Sequence, residues 1–574
     1  MQAGKNLSGS LLPLLLCLVA ILLAACASSG TAPGISSGAP QKAALERQVF
    51  IYPQAGISDI ATFDPGLSTD APSINAIDMV FTGLVQLNDK LEVRPQLAAS
   101  WSESANSLTW TFHLKSNLKF SDGTPLTSAD VAYSIDRALQ PALHSTTAPI
   151  YLALIKDADK LVAGKIRTII GDSVLTPDPG TVIIVASKKA TYFLDALTYS
   201  CSYVVEKSLV EKYGPGFTEH LTEGGGSGPF KVQEWTHSKQ IVFVPNPSYY
   251  GAQPQLQKVI FPFYKQVDTT YRAYQVGQVD YTTIPSTDYT QAQKRADFHK
   301  APQLWTNYYA MNYLVKPFDS INMRKAFALA VNKDEIVHAV WKDKYIPTNH
   351  IVPSGMPGYN SALTGPDGTT STRGNPTAAQ QLFQAGLKDE GLTNASQLPP
   401  ITLTYQSGST DLDNEVAVLV QQWQRVLGVN VKAAPIDFNH LLTEITAAAN
   451  NPNGLQFWGI AWIADYPDPQ DWLTLQFDKN VPNNAWNYGQ NHSADATQQQ
   501  AVQTSLESAD TNPDQNARMQ AYQNAEQQLI NDVAWLPMEQ VQVAYVLKPY
   551  VQGLIVNAQS LIPPDDWSSI YISA

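Results

Sequence analysis

Cysteine is scarce: the 574-residue chain has three, Cys17, Cys26 and Cys201. Two of them sit close to the start, so the body keeps Cys201 alone. It can form neither an internal disulfide nor a cysteine zinc site, and an isolated thiol reads as a packed residue. Charge is sparse as well, at 15% of residues with a net −13. Too few Lys and Arg are present to neutralise phosphates, which argues against nucleic acid as a partner. Outside residues 11–25 no long apolar run occurs, and that run is short for crossing a hydrocarbon core of about 30 Å as a helix. Gly-x-Ser-x-Gly, P-loop and His-Glu-x-x-His patterns are absent. The nine histidines, among them His113, His237, His338, His350, His440 and His492, are scattered along the chain. No catalytic group, metal site or cofactor is therefore expected, and the chain reads as a non-enzyme. Gly224-Gly225-Gly226-Ser227-Gly228 is not followed by Lys-Ser/Thr, so it is no phosphate cradle.

What is plentiful is aromatic and amide side chain, with 26 Tyr and 12 Trp. Together with 44% hydrophobic residues this describes a folded protein with a polar, weakly charged surface. Its length allows several domains.

The apolar run Leu11–Ala25 follows Lys5 and ends in Leu23-Ala24-Ala25-Cys26, as a secretory signal does. The ending resembles the bacterial lipobox, in which the cysteine is diacylated and becomes the new N-terminus. Residues 1–25 are therefore read as a lipoprotein signal peptide. Residues 26–45, the lipidated Cys26 followed by Ala, Ser, Gly and Pro, are read as a flexible tether. These features imply an extracytoplasmic protein held on the cell membrane by lipid.

The body mixes strands and helices. Gln48–Tyr52 reads as a buried strand, Leu108–Leu114 alternates at period 2, and Lys239–Val244 is another strand. Thr127 and Asp130 form a capping-box pattern ahead of Val131, Ser134, Ile135 and Leu139. A helix runs from Met323 through Phe327, Val331 and Ile336. Val416, Leu419, Val420, Trp423, Val426 and Leu427 fall at helical spacing, with Gly428 as the stop and a strand beginning at Val429. Arg518–Val533 is a further helix. No 20–50-residue repeat is present. The fold class is α/β with mixed sheets.

Several segments together carry a resemblance. They are Leu97-Ala98-Ala99-Ser100-Trp101, Trp110–Leu114, and Phe120-Ser121-Asp122-Gly123-Thr124-Pro125 with its continuation to Val131. Gly228-Pro229-Phe230, Asn246-Pro247-Ser248-Tyr249-Tyr250-Gly251, Tyr308–Asn312, Ala461–Tyr466 and Val546–Gly553 follow in order. The body resembles the family 5 extracellular solute-binding proteins of bacterial ABC importers, which include oligopeptide- and dipeptide-binding members. The resemblance implies a two-lobed, periplasmic-binding-protein-like fold closing over a ligand. Lobe I would be 46–71, 189–309 and 534–574, with an inserted subdomain at 72–188, and lobe II would be 310–533. It also implies a monomer that hands a peptide or other small solute to a membrane-embedded ABC permease.

By that resemblance Asp465 is the partner of a peptide α-ammonium. Trp462, Ile463 and Ala464 would offer backbone pairing, and Ile60 and Ala61 an opposing strand. Tyr309, Trp486 and Asn487 are candidate cleft-wall residues, with core packing an equal reading for the aromatics. Tyr308 is a further candidate on the same terms. Oligosaccharide or metal-chelate binding is the alternative within the family. A secreted hydrolase using Asp465 and Asp468 is the alternative outside it.

Overall fold

The computed structural model describes residues 41–479 and 481–574. The expected signal segment, Cys26 and most of the tether lie outside the described residues. Ala43–Ser573 forms one unit, and the description concerns that unit. Ala43 is buried and donates its N–H to Ile572 O, so packing begins inside the segment read as tether. Gln48 is not part of a strand. Its side chain instead bonds Ala43 O, Ile572 O and Ile572 N, tying the two ends of the unit together.

Three larger sheets carry the architecture. The first places Lys258–Tyr264 between a parallel partner, Val49–Ile51, and an antiparallel one, Gln240–Pro245, which Phe230–Thr236 extends. The second is an antiparallel set of Ala98–Glu103, Thr109–Leu114, Thr181–Val185 and Val174–Asp178. In the third, Phe298–Met311 lies between Leu536–Leu547 and Phe457–Ile463, and Ile401–Gln406 and Val431–Ile436 continue it in parallel. The first and third sheets are mixed, as the sequence predicts, and the second is antiparallel throughout.

Local chemistry sets the element ends. Asp130 accepts the Thr127 N–H at 2.8 Å and starts the helix Ser128–Leu139. The helix Thr410–Leu427 begins at Ser409, whose hydroxyl takes the Leu412 N–H, and stops at Gly428 with φ +71°. Its apolar stripe, Val416, Leu419, Trp423 and Leu427, is buried, and the Trp423 indole donates to Phe327 O at 3.0 Å. The glycine-rich 224–228 segment packs backbone to backbone on the end of the helix Ala71–Val80. A Cβ at Gly226 would stand 2.1 Å from Val80 O, so no larger residue fits. That contact, rather than phosphate binding, accounts for the glycine there.

The longest strand pair is interrupted. Pro302 faces Gln542 but Thr306 faces Gln540, so residues 303–305 bulge out of the ladder. The bulge is stitched elsewhere: Leu304 N–H donates to Ala558 O, and Leu304 O accepts from Ala464 N–H. The Gln303 side chain reaches Asn557 O.

Candidate ligand site

Asp465 follows the strand Phe457–Ile463 and opens the acidic turn Asp465-Tyr466-Pro467-Asp468-Pro469. Asp468 caps the short helix behind it by accepting the Gln470 N–H, and pairs in bidentate fashion with buried Arg518 at 2.8 and 2.6 Å. That pair fixes the turn, which gives Asp468 a structural role. Asp471 accepts the Asp465 N–H at 3.1 Å and the Trp462 indole N–H at 3.3 Å. On the other side the Gln559 amide donates to both Ala464 O and Asp465 O at 2.8 Å. The main chain of 464–465 is thus held from two directions, and only the Asp465 carboxyl is left to project.

That carboxyl accepts a hydrogen bond from Tyr151. The Tyr151 ring stacks on Tyr199 at 3.8 Å and meets Tyr466 edge-on at 6.2 Å. Among the described residues no ion pair forms to Asp465. Burial pushes its pKa up to about 7, with the Tyr151 bond opposing the shift. Asp471 is raised well above the ordinary carboxyl range by burial and by its acidic neighbour Asp465. A carboxylate desolvated without a cation is unstable as a resting state, and an incoming cation relieves it.

Asp465 opens on a cavity of ≈ 50 Å³. Its walls include Tyr199, Gln559, Leu87, Leu561 and Pro563, with Asp78, Ser200 and Asn557 completing a polar side. The strand leading to it is half paired. Its ladder to Ile401–Gln406 ends at Trp458, while Gly459–Ile463 pair only with Trp305–Tyr309. One edge of 459–463 therefore carries no strand, and an unpaired edge is a template for an extended chain.

The sequence-derived candidates separate into groups. Trp462 and Ile463 lie on the half-paired edge and are partly exposed, beside Asp465. Ala464 is buried, and its N–H and C=O are both used internally. Tyr309 is buried over Gly459, with its hydroxyl on Glu415 at 2.7 Å. Tyr308 stacks on Trp535 at 3.6 Å. Trp486 packs among Tyr308, Phe477 and Trp535. Asn487 has φ +66° and bonds Asn312, Ala448 O and Ala485 O. None of these four lines the Asp465 cavity, and their contacts are those of core residues. Ile60 is buried, and Ala61 spends its N–H on Ser73 Oγ, so neither belongs to a strand. Cys201 is buried, and burial raises its thiol pKa, which suits a packing role. Tyr151 and Gln559 carry no sequence signal, since they reach the site from 314 and 94 positions away, whereas Asp471 is only six residues from Asp465.

Residues 92–484 match the family model described as bacterial extracellular solute-binding proteins, family 5 Middle. The dipeptide-binding protein DppE of Bacillus subtilis (strain 168) is 26% identical over 86% of this chain and 87% of its own length. The structure of the Escherichia coli murein tripeptide binding protein MppA, 26% identical, superposes with a TM-score of 0.81 over 92% of this chain and 98% of that one. The unliganded open form of MppA, 25% identical, covers 94% and 99% but reaches only 0.60. These relatives are binding proteins. With the family model spanning more than half of its length, the chain belongs to the family 5 bacterial extracellular solute-binding proteins.

Proposed function

We propose that the protein captures peptides by their free N-terminus and delivers them to a membrane-embedded ABC importer. The observation that carries this reading is the Asp465 carboxyl: rigidly presented, half-buried, unpaired with any cation among the described residues, and placed at the end of a strand with an open edge. An α-ammonium would supply the missing charge. The 459–463 edge would take the peptide main chain, which is the same in every sequence and so permits broad specificity. That the curated relative DppE is named for dipeptides, and MppA for a murein tripeptide, agrees with this ligand class.

Lobe II at 310–533 would close on lobe I, which comprises 46–71, 189–309 and 534–574 and carries the 72–188 insertion. The two long strands of the third sheet would act as the hinge, flexing at the 303–305 bulge. The higher similarity to one MppA structure than to its unliganded open form supports a molecule with more than one relative lobe position. Lipid on Cys26 would keep the protein, as a monomer, at the outer face of the membrane beside its permease.

Isothermal titration with Ala-Ala-Ala tests the reading, together with native mass spectrometry of protein purified without refolding. Loss of one partner of a buried ion pair costs about 3–5 kcal/mol, so Asp465→Ala should weaken binding by more than about a hundredfold. N-acetylation of the peptide should do the same. Undiminished affinity in either case refutes the assignment.

A further inference from the structure

Asp78 faces the same cavity and has no role in the reading above. It belongs to the helix Ala71–Val80, is 5% exposed, and shares a hydrogen bond with the Tyr203 hydroxyl. Its Oδ1 is buried without a partner. Two more buried polar atoms in the cavity wall are unpartnered, Ser200 Oγ and Asn557 Nδ2. Each such atom is destabilising while left unsatisfied, a cost that a polar occupant removes. Among the described residues no Lys, Arg or His lines the cavity, so its electrostatic balance there is two acids and no base.

One α-ammonium answers one carboxylate. With Asp465 so engaged, Asp78 would stay either protonated or as an uncompensated buried charge, and the second state is expensive. We infer that Asp78 is a specificity-determining residue that recognises a second cation, the amino side chain of a peptide's first residue. The inference rests on the peptide reading of Asp465. The lining suits the same ligand: Leu87, Leu561 and Pro563 offer apolar wall to an alkyl stem beside the two acids. Ser200 Oγ can accept one ammonium hydrogen, and Asn557 Nδ2 is placed to donate to a ligand carbonyl.

Three tripeptides at mildly alkaline pH decide it: Lys-Ala-Ala, its neutral near-isostere norleucine-Ala-Ala, and Ala-Ala-Ala. In the unmodified protein Lys-Ala-Ala should bind at least about tenfold more tightly than the norleucine peptide, as expected for a close desolvated charge pair. In Asp78→Asn that ratio should fall to near one. Equal affinity of the unmodified protein for the lysine and norleucine peptides overturns the inference, and this comparison needs no variant. A ratio that survives Asp78→Asn overturns it too. If the tripeptides bind without preference, only the role of Asp78 fails. If none binds, the peptide reading itself fails and takes the inference with it.

Discussion

At the scale of single residues, the molecule stores many acids in forms that prefer a proton. Asp465 and Asp78 are raised to about 7, and Glu526, fully buried against Ile351 and Val352 N–H, to about 8, in each case chiefly by burial. Between the ordinary carboxyl range and these values the folded chain binds more protons than the unfolded one. Stability must therefore fall as pH rises through that window, the reverse of the usual salt-bridged carboxylate. Ligand binding runs the other way. If an ammonium binds the ionised Asp465, as proposed, binding would expel a proton below about pH 7 and affinity would drop by up to about tenfold per pH unit there. Calorimetry of the ligand-free protein should give a higher melting temperature near pH 6 than near pH 8. Titrations over the same range should show peptide affinity moving in the opposite direction. Asp465 is singled out through the family resemblance of the Ala461–Tyr466 segment, which is continuous in sequence. Its distant neighbours Tyr151 and Gln559 have no such signal: they lie 314 and 94 positions from Asp465, and only the finished fold brings them together. The aromatic candidates could not be sorted by sequence, since a Trp against a sugar or peptide and a Trp against Phe477 are the same letter. Packing around Trp486 and Tyr309 decides for the core.

At the scale of elements, most of the pattern could be read directly. The capping box at Thr127, the apolar stripe ending at Gly428 and the period-2 strand around Trp110 all fall where their spacing puts them. What sequence could not supply was the reason for each glycine. Gly428 is needed for its left-handed backbone alone, as nothing stands within 4 Å of an added Cβ. Gly226 is needed for its missing side chain, because Val80 O occupies the place. Gly428→Ala should thus cost about 1 kcal/mol. Gly226→Ala should cost more than about 3 kcal/mol or prevent folding, since main chain rather than a flexible side chain must move. Denaturant unfolding of the two variants separates them; equal losses would show that the 224–228 segment can shift off the helix end.

For the whole molecule, the mixed α/β class followed from the sequence, whereas the half-paired 459–463 edge and the bulge at 303–305 did not. Strand pairing is a long-range choice, and periodicity alone does not say which edge is left open. If the long strand pair flexes at that bulge, the ligand-free protein should populate a more open form than the one described. Small-angle scattering should then show the radius of gyration decreasing when a saturating tripeptide is added, and remaining unchanged with Asp465→Ala. An unchanged radius with bound peptide would mean that entry requires no lobe movement.

The open edge has a cost as well as a use. Main-chain groups that would pair with any peptide could not tell a nutrient from the frayed end of a neighbouring copy. If the chain is held at the membrane surface as proposed, it would be safest when fed: cargo would act as a stopper over an adhesive seam, and prolonged starvation would be when such a protein is most prone to clump.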